Sequence, residues 1–340
     1  MYTLITQTEK QVDMKALQIL QYGDFKDSLA INEVSKPTIK ATDILIEVRA
    51  TSINPIDKIL VLGYLKDMLP IPFPSIAGYD VSGVVVEKGA EVTNFEIGDL
   101  VYSRVPGDQM GTIAEYVSVT SEAVSKKPEN ISFEEAASIP LVGLTAVQSL
   151  ERVGIKENDK VLIHAGSGGV GSFAIQYAKS KGAYVYTTTS TNNVAWVKAL
   201  GADSVIDYKK EDYKTIVKDA DIVFDTLGDV YTIDAFKVLK EGGKVVSIIG
   251  DLDEETAKNF GMSDYKLPEE LANRIKDKNA SYKYIFMNPN GAQLSEIKTL
   301  IEDEKIKPII DKVYPFSESI EAYMHLASGR AKGKIIIKIK

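Results

Sequence analysis

The run Val161-Leu162-Ile163-His164-Ala165-Gly166-Ser167-Gly168-Gly169-Val170-Gly171 sets three glycines at G-x-G-x-x-G spacing directly after an apolar stretch. Glycines there let the backbone turn sharply and approach a pyrophosphate, and a helix start just beyond offers free N–H groups and a positive dipole end. The spacing alone is a weak signal, but the context is complete. A strand-like run precedes it, and Gly169 to Ser180 follows with Val170, Phe173, Ala174 and Tyr177 on one helical face. Gly166, Ser167, Gly168, Gly169, Val170 and Gly171 are therefore candidate dinucleotide-binding residues.

Other chemistries are narrowed by composition. The chain has no cysteine, so disulfides, thiolate zinc sites and iron–sulfur clusters are excluded. Its two histidines, His164 and His325, are far apart in sequence, and no metal site is expected. With 340 residues, 44% hydrophobic and 26% charged, the chain reads as a globular protein of two domains. A net charge of −8 argues against nucleic acid or an anionic membrane as partner. No apolar stretch reaches the ~20 residues that span a bilayer. The start lacks a basic segment followed by an apolar one, which points to the cytoplasm.

The elements that would position the glycine loop fall into three textures. Residues 1–13 read as an extension. Residues 14–135 carry short β-like runs broken by Gly, Pro and Asn, such as 44–50, 81–86 and 114–119, and suggest a compact, mostly antiparallel unit. Residues 136–289 alternate strand and helix, with strands expected at 160–164, 183–189, 203–207, 221–225, 243–249 and 282–287. That rhythm specifies a doubly wound parallel sheet. Ile249 and Gly250, at the carboxyl end of one strand, should then line the ligand crevice. Residues 251–280 read as a mobile polar insertion, and Ser317 as the N-cap of a late helix. Residues 290–340 end in a strand, 333–339, expected to return to the first domain.

The chain resembles the medium-chain dehydrogenase/reductase superfamily in its zinc-free, zeta-crystallin-like quinone oxidoreductase branch. The likeness rests on Asn158-Asp159-Lys160-Val161-Leu162 with the glycine run, Gln176 and Lys179. It extends to Asn54-Pro55-Ile56-Asp57, to 139–146, to Gly201-Ala202-Asp203 with Ile206-Asp207-Tyr208, and to Gly329-Arg330-Ala331 with Gly333-Lys334. It implies an α/β protein: a GroES-like β-rich catalytic domain plus a Rossmann domain, and a homodimer. Where zinc-dependent relatives carry Gly-His-Glu, this chain has Gly78-Tyr79-Asp80.

About 20 residues past the glycines, NAD-specific sites place a carboxylate on the ribose. Here Tyr186 to Asn193 holds hydroxyls and amides with no Asp or Glu, which favours NADPH. The resemblance implies that Ser190, Asn193 and Tyr208 hold the 2′-phosphate, that Asn54 and Thr145 face the nicotinamide, and that Lys334 touches the cofactor. Phe286 is expected at the nicotinamide or substrate pocket. The implied reaction is hydride transfer to a quinone or an α,β-unsaturated carbonyl. Unsaturated thioesters or halogenated acrylates, or non-catalytic NADPH binding, are the alternatives. Asn54, Tyr64 and Tyr79 are the candidate catalytic residues, the tyrosines because a phenol can protonate an enolate. Asp57 is read as ordering the Asn54 turn, and Trp196, His164 and His325 as structural.

Overall fold

The computed structural model describes residues 13–340. The expected extension lies outside the described residues except for Asp13, which opens a strand and pairs with Ser35.

The β-rich part contains β1 (Asp13–Ile19), β2 (Leu29–Ser35), β3 (Asp43–Ile53), β4 (Ser75–Ile76), β5 (Asp80–Lys88), β6 (Leu100–Arg104), β7 (Tyr116–Thr120) and β8 (Val124–Lys126). The nucleotide-fold strands are β9 (Lys160–Ile163), β10 (Tyr184–Thr189), β11 (Ser204–Asp207), β12 (Ala220–Asp225), β13 (Leu239–Ser247) and β14 (Ser281–Tyr284). β15 (Ile310–Pro315) and β16 (Lys334–Lys338) close the chain.

Six strands form a sheet in the order β11-β10-β9-β12-β13-β14, and every neighbouring pair is parallel. The strand order reverses at β9, so the crevice at its carboxyl end is where a ligand sits in such sheets. Both faces of the sheet are covered. Val161 and Ile163 pack in one apolar cluster with Leu144, Phe173 and Ala174, whereas Leu162 packs in another with Val223, Phe236 and Leu271. This is why β9 reads as a continuous apolar run.

The other large sheet runs β15-β16-β3-β5-β6-β8, with β7 also on β3. β16 lies antiparallel to β3, Ile335 opposite Ile53 and Lys338 opposite Ala50. The tail is thus built into the sheet of the β-rich part, and its first residue, Lys334, sits one register step past the end of β3.

Local details differ from the sequence expectation. Residues 251–280 hold two helices, Glu254–Asn259 and Glu269–Asp277, which carry the crossover from β13 to β14. Asp253 explains the first: one carboxylate oxygen accepts from Thr256 N at 2.7 Å and the other from Tyr284 N at 2.8 Å. β13 stops at Ser247, whose hydroxyl donates to Ile249 O at 2.7 Å and turns the chain out of the sheet. β14 stops at Tyr284, before Phe286. Ser317 lies in a short 3-10 turn, and the helix starts at Ser319, whose hydroxyl donates to Phe316 O at 2.6 Å.

A Cβ on Gly171 would fall 2.3 Å from Ala165 O, because the glycine-loop helix packs directly against the end of β9. Gly171→Ala is expected to cost about 1–3 kcal/mol, read as a lower urea midpoint. An unchanged midpoint would show that the elbow yields freely.

Candidate active site

The glycine loop is shaped as a dinucleotide cradle. Ala165 adopts a left-handed backbone, φ +51°, at the end of β9. Gly166 N donates to Thr188 O and Gly168 N to Ala165 O, both at 2.9 Å. The helix Gly169–Ser180 begins at Gly168 with no side-chain cap, leaving its first N–H groups to an anion. The glycines divide the work. Added Cβ atoms on Gly166 and Gly171 would strike Thr187 Oγ1 and Ala165 O within 2.3 Å, so protein fills that space. At Gly168 the nearest atom is Ala165 O at 3.4 Å, so that side is open to a pyrophosphate.

A cleft of about 1200 Å³ continues from the loop and is lined by Ser190, Asn193 and Tyr208. Asn193 Nδ2 donates to Ser190 Oγ at 3.1 Å, while Asn193 Oδ1 accepts from Trp196 Nε1 at 3.1 Å. Trp196 therefore orients a cleft residue in addition to packing. Five cations border the cleft. Lys214 is paired with Asp234 at 2.8 Å and Lys210 with Asp207 at 3.6 Å. Lys209, Arg330 and Lys332 have no ion-pair partner among the described residues.

Where the β-rich part meets this loop, a buried polar network forms. Asn54 precedes the helix Pro55–Val61, and its N–H donates to Asp57 Oδ2 at 2.7 Å. Asn54 Nδ2 donates to Asp80 Oδ2 at 2.9 Å, as does Ser52 Oγ at 2.7 Å. Asp80 Oδ1 accepts from Leu141 N at 2.8 Å, setting a carboxylate at the N-terminus of the helix Pro140–Arg152. The buried Lys334 ammonium donates to Asn54 Oδ1 and lies 3.4 Å from both Asp80 Oδ2 and Ile53 O. Burial lowers the Lys334 pKa, with Asp80 opposing. Next to Lys334, Gly333 N donates to Ser167 O at 2.9 Å, and Gly333 bridges Gly168. One strand thus touches the glycine loop and the Asn54 turn together.

The donors of this network do not suit a metal ion. Its carboxylates are Asp80, already held by two amides, a hydroxyl and an ammonium, and Asp57, held by the Asn54 N–H, and both histidines lie elsewhere. Among the described residues no group of three or more His, Asp or Glu is placed to hold a metal.

Sequence comparisons agree with this geometry. The alcohol dehydrogenase GroES-like domain profile matches residues 40–129, and a profile described as zinc-binding dehydrogenase matches residues 200–337. A 2-methylene-furan-3-one reductase of Solanum lycopersicum is 34% identical over 96% of this chain and 79% of its own length. An NADPH-dependent alkenal/one oxidoreductase of Arabidopsis thaliana is 33% identical with the same coverage. The solved quinone oxidoreductase of Coxiella burnetii superposes with a TM-score of 0.85 at 35% identity, covering 97% of this chain and 100% of that one. The chain belongs to the medium-chain dehydrogenase/reductase superfamily, in its quinone oxidoreductase branch.

As a quinone oxidoreductase-branch protein it places the remaining candidates unevenly. Tyr79 is buried under the Arg104 guanidinium, 4.5 Å above the ring, and burial pushes its phenol up to about 12. Tyr64 is 74% exposed on the turn after the helix Pro55–Val61 and is not drawn into the network. Thr145 lies inside the helix Pro140–Arg152, its hydroxyl donating to Leu141 O at 2.7 Å. Ile249 stands beside Gly228, and Phe286 meets Phe260 edge-on at 5.2 Å; both are partly open at the sheet's carboxyl end. Gly250 has φ +92°. Asp80 and Arg104 were missed as site residues by the sequence reading, although Gly78-Tyr79-Asp80 had marked the place. His325 is structural, joining Asp311 at 3.2 Å and Tyr314 at 3.1 Å.

His164 sits at the floor of the crevice, its Nδ1 3.2 Å from Thr188 Oγ1 and its ring edge-on to Tyr213 and Tyr231. Burial lowers its pKa to about 4. The unfolded chain therefore takes this proton first, and His164 draws stability away as pH falls from about 6.5 towards 4. The gap in unfolding free energy between wild type and His164→Gln should shift against wild type by about 3 kcal/mol over that range. A pH-independent gap would refute a buried neutral imidazole. Gly168→Ala is expected to keep the melting temperature within about 2 °C yet weaken dinucleotide binding at least tenfold by calorimetry. Equal binding would place the pyrophosphate elsewhere.

Proposed function

We propose that this protein is an NADPH-dependent, zinc-independent reductase of quinones and α,β-unsaturated carbonyl compounds. One observation carries the reading. A dinucleotide cradle closes directly against a buried polar network of the β-rich half, in a chain one-third identical over almost its full length to alkenal and furanone reductases.

In this proposal each cofactor-binding candidate has a role. Gly166 to Gly171 hold the diphosphate. Ser190, Asn193 and Tyr208, beside the unpaired Lys209, Arg330 and Lys332, receive the ribose 2′-phosphate, and the segment from Tyr186 to Asn193 that ends β10 contains no Asp or Glu of its own. Asn54, Thr145, Ile249, Gly250, Phe286 and Lys334 border the nicotinamide end. Bound NADPH supplies hydride from C4 of its reduced ring.

Without a Lewis acid, catalysis rests on positioning and hydrogen bonding. Acceptors with a delocalised π system suit this, because the incoming charge settles on an oxygen that a phenol can serve. Tyr79 is that phenol; Tyr64, open to solvent, is given no step. A homodimer completes the proposal: β14 is an edge strand whose free side can pair across a twofold axis.

Steady-state assays with 1,4-benzoquinone, methyl vinyl ketone and a saturated ketone, each with both cofactors, test the reading. The first two should turn over with kcat/KM at least tenfold higher for NADPH than NADH. Equal use of NADH would overturn the cofactor assignment, and preference for the saturated ketone would overturn the acceptor class.

A further inference from the structure

Three buried threonines, Thr187, Thr188 and Thr189, end β10, and the proposed reaction leaves them without a role. Parallel pairing of β9 with β10 stops where Ile163 lies opposite Thr187. Past that point threonine side chains hold the departing strand. Thr187 Oγ1 donates to Ile163 O at 2.7 Å. Thr188 Oγ1 accepts from Ala165 N at 3.2 Å and lies 3.2 Å from His164 Nδ1. Thr188 O accepts from Gly166 N at 2.9 Å. One residue of β10 thus holds three consecutive residues at the point where the chain turns into the glycine loop.

Ala165 is the residue that needs holding. A left-handed backbone is unfavourable for a residue with a Cβ and persists only where its surroundings enforce it. Ala165 is left-handed, and its N–H donates to the Thr188 hydroxyl. Its carbonyl oxygen accepts from Gly168 N and is the nearest atom to a Cβ built on either Gly168 or Gly171. The setting of Ala165 therefore fixes the edge of the loop that is open to a diphosphate.

The Thr188 hydroxyl serves Ala165 as acceptor and still has a proton to place. Among the described residues, His164 Nδ1 is the acceptor within its reach. A donor at Nδ1 puts the imidazole proton on Nε2. Nε2 is buried without a hydrogen-bond partner, and the ring stands edge-on to Tyr213 and Tyr231 at 4.9 and 5.4 Å. Electron-rich aromatic neighbours tolerate an N–H there better than a bare lone pair. We propose that Thr188 and His164 are positioning residues for the dinucleotide, the Thr188 hydroxyl locked between Ala165 N–H and His164 Nδ1 so that the glycine loop is preset for the diphosphate. The inference rests on the dinucleotide-binding part of the reading above. Neither residue belongs to the Ser190, Asn193 and Tyr208 group assigned to the 2′-phosphate, so their effect should not distinguish NADPH from NADH.

The chain has two histidines, so nitrogen NMR of the labelled, cofactor-free protein reads the His164 tautomer directly. The proton is expected on Nε2 in wild type, with the Nδ1 signal shifting in Thr188→Val, which keeps the branched shape and loses the hydroxyl. By calorimetry, Thr188→Val should bind NADPH and NADH each about tenfold more weakly, with the ratio of the two affinities kept within about twofold. Thr188→Ser, which keeps the hydroxyl, should stay within about threefold of wild type for both. In turnover, the Thr188→Val loss should appear in KM for NADPH, with kcat within about twofold. A proton on Nδ1 in wild type, unchanged binding by Thr188→Val, a loss confined to NADPH, or no rescue by serine would each overturn the positioning role. Should Thr188→Val fail to fold, a wild-type proton on Nε2 with near-normal binding by Thr188→Ser upholds the role, and the opposite results overturn it. Failure of wild type to bind either nucleotide would instead sink the cradle reading, leaving the tautomer to stand by itself.

Discussion

The docking of β16 onto two neighbours is the contact from which the site takes its form. Gly333 reaches the glycine loop through the backbone, and the next residue buries an ammonium among Asn54, Asp80 and the Ile53 carbonyl. Gly333 has little freedom: its backbone is left-handed, φ +75°, and a Cβ would lie 2.3 Å from Ile309 O. A buried ammonium loses hydration and is tolerable only when paired and hydrogen-bonded. Asp80 meets that need while also accepting from Leu141 N, so the charge pair spans the junction between the β-rich sheet and the helices of the parallel sheet. Removing one partner leaves the other buried and unpaired, which typically costs about 3–5 kcal/mol. The same few residues therefore set both the mutual orientation of the halves and the shape of the crevice.

That arrangement also constrains the chemistry. Where metal-dependent members of the superfamily rely on a Lewis acid, this chain offers an aspartate neutralised by lysine. Charge developed on an acceptor must be met by hydrogen bonds and a proton. Tyr79, the phenol proposed for that step, lies under low-dielectric cover that pushes it to about 12. A resonance-stabilised anion is the natural product of such a site.

Much of this was legible in the amino-acid order, and the parts that were not have a common cause. The parallel sheet was readable because β9 is buried on both faces and ends in glycines whose spacing has a mechanical reason. Asn54 was readable because N-P-I-D is a local motif. The Asp80–Lys334 pair was not, since its members stand 254 positions apart and only the return of β16 joins them. Arg104 gave no local sign, because its role depends on pairing opposite Asp80 across β5 and β6. The two helices in 251–280 were hidden by their polarity, although Asp253-Glu254-Glu255 and Pro268-Glu269-Glu270 are helix-start signals.

The central claim is hydride delivery to a conjugated carbon at a site built without a metal, and following the label tests it most directly. Single turnover with NADPH deuterated at C4 and methyl vinyl ketone should yield 2-butanone carrying deuterium on the terminal carbon that was the β-carbon. Deuterium on the carbinol carbon of 3-buten-2-ol, or no transfer of label to any product, would contradict the account.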